Sequence, residues 1–339
     1  MRKKQVTLLE LAKRLNLSTS TVSRALNDRH RISEKTRRAV KELALELEYQ
    51  PNPSAKSLRE SKTYIIGVLV PELSHHFFAT TISGMEDAAV KEGYKIMICQ
   101  SKESYERERD VASTFLGSRI DGLIVALSRE TQDVRHLQIF QRKDLPIVLF
   151  DRVSYAMDST RVVVDDFVGA KKAIDHLVEQ GYKKIAHLAG PEALTNSNDR
   201  LNGYLEGLDE HRLPIKDEWI HHCQLTGASA IAYTQQLFES SDPPDAIFAF
   251  NDYVAIDAMK VIKSKKIKIP QEVGLVGFAN TPLSALVDPS LSTVEQPAQD
   301  LGRIAIELML EQLGNREDYE PRTVTLPTNL IVRDSSKRT

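Results

Sequence analysis

An all-α helix-turn-helix head followed by an α/β body of two doubly wound parallel sheets is the fold this sequence predicts, on three observations. Residues 1–62 hold 15 Lys and Arg against 7 Asp and Glu, a net of +8, while the rest of the chain carries −10. Within that basic head, apolar residues recur three times at helical spacing. From Ile65 onward, short apolar strands alternate with helices, the pattern of parallel strands joined by crossover helices. The 339 residues are 41% hydrophobic and 27% charged, enough for two or three domains, and collagen-like, low-complexity and disordered classes are excluded.

In the head, Thr7-Leu8-Leu9-Glu10 reads as a capping box, with Leu8, Leu11, Ala12 and Leu15 forming one helical stripe after it. Asn16-Leu17 makes a turn. Ser18 caps a second helix from Thr19 to Asn27, with Val22, Ala25 and Leu26 facing inward and Thr19, Ser20, Ser23 and Arg24 outward. Ser33 caps a third, striped by Val40, Leu43, Ala44 and Leu47. A second helix set so closely after the first is built to place its N-terminal side chains on base edges in the major groove, where Arg24 can reach guanine or phosphate. A basic head on an acidic body marks the head as the part that meets a polyanion.

Pro51-Asn52-Pro53 then offers an N-cap and N1 pair for a short helix through Arg59. So short a helix is marginal alone in water, and the expectation is that it orders against DNA and a second copy of the chain. Residues 1–50 are therefore read as the DNA-binding domain, 51–61 as a hinge and 62–339 as the effector-binding and dimerisation domain.

In the body, candidate strands are Ile65–Val70, Ile96–Cys99, Gly122–Ala126, Ile147–Phe150, Val162–Val164, Ile185–Leu188, Ala246–Ala249 and Gly274–Phe278, with Phe78–Glu92 and Asp199–His211 among the helices. Most lack a period-two pattern, as strands buried on both faces do. More than 270 residues is long for one such sheet, so two lobes are expected, about 62–163 with 293–325 and 164–292 with 326–339, the late strands crossing back between them.

The wording of several segments is specific. Val6-Thr7-Leu8-Leu9-Glu10-Leu11-Ala12, Ser18 through Asn27, Ile32-Ser33-Glu34-Lys35-Thr36-Arg37 and Leu47-Glu48-Tyr49-Gln50-Pro51-Asn52 together resemble the lactose/galactose repressor (LacI/GalR) family of transcriptional regulators. Further matches at Arg119-Ile120-Asp121-Gly122, Asp199-Arg200-Leu201-Asn202-Gly203-Tyr204, Phe250-Asn251-Asp252 and Pro289 through Val294 carry the resemblance along the whole chain. It implies a body of two lobes of the periplasmic-binding-protein type with a ligand cleft between them. It also implies a homodimer on pseudo-palindromic operator DNA, and a hinge helix whose Leu58 wedges into the minor groove. On it, the DNA-contacting candidates are Thr7, Ser18, Thr19, Ser20, Thr21, Ser23, Arg24, Asn27 and Arg31 in the head. Asn52, Ala55, Lys56, Leu58 and Arg59 are the candidates in the hinge.

Ligands of open α/β sheets bind at the carboxyl ends of the strands. The residues just beyond those ends make Phe77, Phe78, Asp151, Asn196, Arg200, Asn251, Asp252, Asn280 and Gln296 the effector-binding candidates. Aromatic faces converging with amides, carboxylates and a guanidinium suit a sugar, and Arg200 favours a sugar acid. Each also has a structural reading: Phe78 as core, Asp252 as a helix cap, Asp151 as a partner for Arg152. Where members that bind a purine grip it with Arg, Phe and Asp, this chain has Leu194, Leu225 and Ala279, which argues against a purine.

No GxSxG, HExxH, GxGxxG or Walker loop is present, and the pairs His75-His76 and His221-His222 face opposite ways on a strand, so no enzyme, cofactor or metal site is expected. Cys99 and Cys223 make neither a disulfide framework nor a metal knuckle. No stretch approaches the ~18 apolar residues of a spanning helix. Glu10, Lys13 and Arg14 interrupt the basic-then-apolar start before a signal peptide can form. The expectation is a cytoplasmic regulator without a membrane partner, and a dimer, because no heptads follow Asp334. The alternatives are a periplasmic-type sugar receptor without a DNA role, and a regulator that activates or depends on a corepressor.

Overall fold

The structure, a computed structural model, describes residues 6–26, 32–49, 62–224 and 227–338. The chain divides into two units, Met1–Tyr64 and Ile65–Thr339. Asn27, Arg31, Asn52, Ala55, Lys56, Leu58, Arg59 and Leu225 lie outside the described residues.

The head contains α1 (Leu8–Leu15), α2 (Thr19–Leu26) and α3 (Glu34–Glu46). Each start is set by a hydroxyl cap: Thr7 Oγ1 accepts the Glu10 amide at 3.3 Å, Ser18 Oγ the Thr21 amide at 3.1 Å and Ser33 Oγ the Thr36 amide at 3.2 Å. Of the capping box at Thr7, this forward arm forms, while the Glu10 carboxylate faces Arg14 at 3.8 Å. Asn16, left-handed at φ 51°, ends α1 and makes the tight turn into α2. Leu11, Ala12, Val22, Ala25, Val40 and Ala44 meet in one small core.

The body holds two six-stranded sheets. The first has the order β11-β5-β4-β3-β1-β2, from β1 (Ile65–Val70), β2 (Lys95–Gln100), β3 (Gly122–Val125), β4 (Ile147–Phe150), β5 (Thr160–Val164) and β11 (Thr323–Leu326), all parallel. The second has the order β12-β10-β9-β8-β6-β7, from β6 (Ile185–Ala189), β7 (Ile220–His222), β8 (Ala246–Ala249), β9 (Gly274–Phe278), β10 (Ser292–Glu295) and the antiparallel β12 (Asn329–Ile331). Helices α4 (His76–Lys91), α5 (Tyr105–Gly117), α6 (Arg135–Arg142) and α12 (Ala298–Gly314) cover the first sheet. Helices α7 (Asp166–Glu179), α8 (Thr195–Glu210), α9 (Gly227–Glu239), α10 (Asp252–Ser264) and α11 (Pro282–Leu286) belong to the second. Leu123, Val125, Leu137, Phe140 and Leu149 anchor one core, and Ile185, Phe248, Val276 and Phe278 another.

Two features differ from the sequence-based expectation. β7 and β12 were not foreseen, because each is an edge strand of only three residues. β10 pairs with β9 and completes the second sheet, so the chain returns to the first lobe after Glu295 rather than before Thr293. A strand bordering a crossover carries no mark of which sheet it joins; the pairing partner decides.

Helices α4 and α12 press together without side chains at the contact. A Cβ on Gly302 would strike the Thr81 carbonyl, and one on Gly84 the Gln299 carbonyl. Backbone on both sides leaves nothing to rotate away. Gly302→Ala is therefore expected to cost about 1–3 kcal/mol, read as a lower unfolding midpoint with little change in far-UV circular dichroism. An unchanged midpoint would show that the helices separate freely.

Candidate functional site

On α2 the exposed side chains are Thr19, Ser20 and Arg24, with Thr21 and Ser23 half-buried behind them and Thr7 and Ser18 exposed alongside. Ser18 Oγ lies 2.9 Å from Ser20 Oγ and 2.8 Å from Thr21 Oγ1, which orders the hydroxyls at the start of the helix. This is a polar, cation-bearing helix face set by a buried apolar one, the form of a recognition helix.

In the body, the cleft forms where the carboxyl ends of the strands of both sheets meet. His75, Phe77 and Phe78 follow β1; Asp151 and Arg152 follow β4; Asn196 and Arg200 sit in the first turns of α8 after β6. Phe250, Asn251 and Tyr253 follow β8, Ala279 and Thr281 follow β9, and Gln296 follows β10. These residues line a cavity of about 60 Å³. That is far below the ~300–1,000 Å³ of pockets that hold small molecules, so the lobes must part to admit a ring-sized one. Contacts that span the lobes include the rings of His75 and Tyr253, 5.6 Å apart, the Arg129 Nη1 bond to the Gln224 carbonyl at 2.6 Å, and the Thr195 Oγ1 bond to the Val153 carbonyl at 3.4 Å. A chamber of about 610 Å³ lies next to the cavity, and Arg152 borders both.

The charges are mostly spent on one another. Arg200, 3% exposed, places Nε and Nη2 each 2.7 Å from Asp166 Oδ1 and donates Nη1 to the Phe250 carbonyl at 2.7 Å. Its guanidinium also lies 3.7 Å from the centre of the Phe278 ring and 4.5 Å from that of Phe250. Burial pushes the Asp166 carboxyl up to about 7 against the pull of Arg200. Arg152 donates twice to Glu103, at 2.7 and 2.9 Å.

Asp151 is different. It is buried, held left-handed at φ 55°, receives one long hydrogen bond, from Asn196 Nδ2 at 3.4 Å, and its Oδ2 lies 3.9 Å from Arg152 Nε, a loose ion pair. Burial raises its pKa, with Arg152 and Arg200 opposing. Asn196 Oδ1 and Gln296 Nε2 are buried around the same cavity with no hydrogen-bond partner, and Thr281 Oγ1 beside them has only the Asp252 carboxylate. The site thus presents a carboxylate, an amide oxygen, an amide N–H and a hydroxyl with unused capacity, beside Phe77 and Phe78. Phe78 packs edge-on against Phe150 at 6.2 Å.

Seven of the nine effector candidates line the cavity: Phe77, Phe78, Asp151, Asn196, Arg200, Asn251 and Gln296. Asn251 also caps α10, accepting the Val254 amide at 2.9 Å. The other two are not brought there. Asp252 is fully buried, accepts the Thr281 amide at 2.6 Å and Thr293 Oγ1 at 2.5 Å, and joins β9 to β10. Asn280 donates to Glu295 at 2.8 Å, accepts from Arg333 at 2.7 Å, and lines an adjoining pocket that shares Phe77, Ala279 and Gln296 with the cavity. His75, Arg152, Phe250, Tyr253 and Thr281 are lining residues that the sequence alone did not single out; each lies within two positions of a candidate or of a strand end. His221 stacks on Tyr233 at 4.6 Å, while His222 Nδ1 lies 2.9 Å from the Gly190 carbonyl oxygen.

A helix-turn-helix head joined to a two-lobed, cleft-bearing body defines a ligand-responsive DNA-binding regulator. The family model of bacterial regulatory proteins, lacI family, matches residues 7–52, and that of the periplasmic binding protein-like domain matches residues 174–336. The chain is 30% identical to catabolite control protein A of Priestia megaterium, over 98% of this chain and 99% of that protein. It is 32% identical to the ribose operon repressor of Halalkalibacterium halodurans, over 98% and 97%. Among solved structures, the lac repressor dimer bound to operator and the anti-inducer ONPF shares the fold at a TM-score of 0.88 and 24% identity, over 99% of this chain and all of that one. The transcriptional regulator CelR–cellobiose complex aligns at a TM-score of 0.75 and 26% identity, over 98% and 100%. The chain belongs to the lacI family: it is a DNA-binding transcriptional repressor with an effector-binding domain.

Arg200→Ala strands a buried carboxylate without its counter-charge and is expected to destabilise the body by about 3–5 kcal/mol near neutral pH. Because the folded Asp166 already holds its proton to about pH 7, above the ordinary 3.8, native stability falls as pH climbs through that window. Without Arg200 that fall continues to higher pH, so the deficit grows above pH 7 and shrinks below it. Chemical unfolding of both proteins between pH 5 and 8.5 measures this; a deficit that does not vary with pH would remove Asp166 as its source.

Proposed function

We propose that the protein represses transcription as a homodimer on pseudo-palindromic operator DNA, and that a neutral sugar bound between the lobes controls its operator affinity. In this reading α2 of each copy enters a major groove, with Thr19, Ser20 and Arg24 on the bases and Thr7 and Ser18 toward the phosphates. Residues 51–61 act as the hinge that couples head and body. Exposed apolar side chains on each lobe, Val90 and Ile98 on the first and Leu283 and Leu286 on the second, support pairing of two copies.

The observation that carries the effector reading is the set of unspent polar groups around the cavity, Asp151, Asn196 Oδ1 and Gln296 Nε2, beside aromatic rings. Such an array fits several hydroxyls on one ring with apolar C–H faces. Arg200 is paired with Asp166, so it does not offer the free cation on which a sugar acid would depend. The named functions of two relatives, a ribose operon repressor and a regulator in complex with cellobiose, agree with a neutral carbohydrate.

Thermal-shift titration with neutral monosaccharides, neutral disaccharides, uronic acids and sugar phosphates tests this. A neutral sugar at ~100 times its Kd is expected to stabilise the body by about 2.7 kcal/mol, and Asp151→Asn to weaken that sugar at least tenfold. Stabilisation confined to the acids or phosphates would refute the neutral reading. Arg24→Ala is expected to leave the fold intact and remove the preference for operator over unrelated duplex, about 1–3 kcal/mol per half-site; a retained preference in a fluorescence-anisotropy competition would exclude Arg24 from base reading.

A further inference from the structure

A second recess opens at the opposite end of the first sheet from the cleft. It encloses about 350 Å³ at the amino ends of β4 and β5, where Ile147, Ser159 and Thr160 meet the last turn of α12 and the chain that continues from it to Pro321. Two of its lining side chains carry polar atoms that are buried and unpartnered, Ser159 Oγ and Gln312 Nε2, and the residues are 2% and 9% exposed. Native proteins rarely leave such groups unbonded. The polar neighbours are committed elsewhere: Thr160 Oγ1 bonds the Tyr319 hydroxyl at 2.8 Å, and Gln141 Nε2 donates to the Asp158 carbonyl. The walls are apolar, from Leu145, Pro146, Ile147 and Pro321. At the exposed rim the carboxylates of Asp144, Asp158 and Glu317 outnumber the one guanidinium of Arg316.

We infer that this recess is a second small-molecule site, separate from the cleft, for an uncharged flat heterocycle with a hydrogen-bonding edge, such as a free nucleobase or a carboxamide-bearing ring. A primary amide reads such an edge because it offers donor and acceptor side by side, as glutamine does on adenine. The Ser159 hydroxyl supplies a further bond, and the apolar walls take the faces of the ring. The surplus of carboxylates at the mouth works against phosphorylated or carboxylated forms of the same ring. The inference stands independently of what the cleft binds. Its location links it to regulation, since the amino ends of the parallel strands include Ile65, where the chain enters the body from residues 51–61.

Calorimetric titration of the full chain with adenine and nicotinamide, each beside its charged counterpart, AMP and nicotinate, tests it. One neutral ring is expected to bind at least tenfold more tightly than its charged counterpart. Gln312→Leu is expected to weaken that binding tenfold or more, and Asp151→Asn in the cleft to leave it unchanged. Should Gln312→Leu fail to fold, Ser159→Ala provides the readout, with a loss of at least threefold. The inference is overturned by no binding of either neutral ring, by equal binding of the charged forms, or by binding that survives the recess substitutions. Loss of binding in Asp151→Asn alone overturns it as well, and assigns the ring to the cleft.

Discussion

The ion pair between Arg200 and Asp166 holds the second half of the cleft in shape. Arg200 stands in the second turn of α8, Asp166 opens α7, and the third bond runs to the carbonyl of Phe250 at the end of β8. One guanidinium thereby ties three segments that share no sheet pairing at that point, while Phe278 and Phe250 cover it with ring faces that exclude water. Desolvating a cation and a carboxylate is expensive, and short charge-assisted bonds of 2.7 Å are what offset it. With the close approach of Gly203 and Gly207 to Phe167 and Ile174, the pair fixes α7 against α8, and Asn196, one turn before Arg200, holds its amide against Asp151.

The lining residues take their places from that frame. Asp151 is held left-handed at the end of β4, which turns its carboxylate across the cleft toward Asn196 rather than along the strand. On the same wall Arg152 is engaged twice by Glu103 while still bordering the cavity. Most charges are therefore consumed in building the site, and one carboxylate, Asp151, is left with neutral donors and acceptors to face the ligand. A site arranged in this way discriminates by the geometry of hydroxyl groups more than by net charge.

Much of this was legible in the sequence because strand ends are. β1, β4, β8 and β9 are apolar runs, and ligand groups in such sheets come from the residues beyond their carboxyl ends, so Asp151, Asn251 and Phe78 fell out of position. Arg200 was legible as a site residue but not in its role. A sequence shows a cation near a cleft; it does not show Asp166, 34 positions earlier, spending it. Asp252 and Asn280 stay out of the cavity for a related reason. Both come after strand ends, yet the hydroxyl of Thr293 and the side chains of Glu295 and Arg333, on the neighbouring strand and the C-terminal segment, claim their polar groups before any ligand can. Short edge strands such as β7 and β12 are too brief to stand out in a sequence, being made by pairing with a strand already in place.

The crossings between the lobes connect the cleft to movement. The chain passes between the sheets after Val164, after Glu295 and after Leu326, and the first and last of these passages are bonded to each other. The Asp165 amide donates to the Leu326 carbonyl at 2.8 Å, Thr328 Oγ1 to the Asp165 carbonyl at 3.1 Å, and Lys172 Nζ to the Thr328 carbonyl at 2.8 Å. Two strands bonded side by side resist splaying but can twist, which makes them a pivot rather than a weld. Gln296 lies on the middle passage, and its Nε2 is one of the unspent groups of the cavity. A ligand that satisfies Gln296 together with Asn196 and Asp151 bonds to the pivot and to both walls at once. It therefore has different contacts in the open and closed arrangements, which is the condition for shifting their populations. The first lobe is the one that follows the head in the chain, so a change in its angle to the second is the motion a ligand in the cleft can drive.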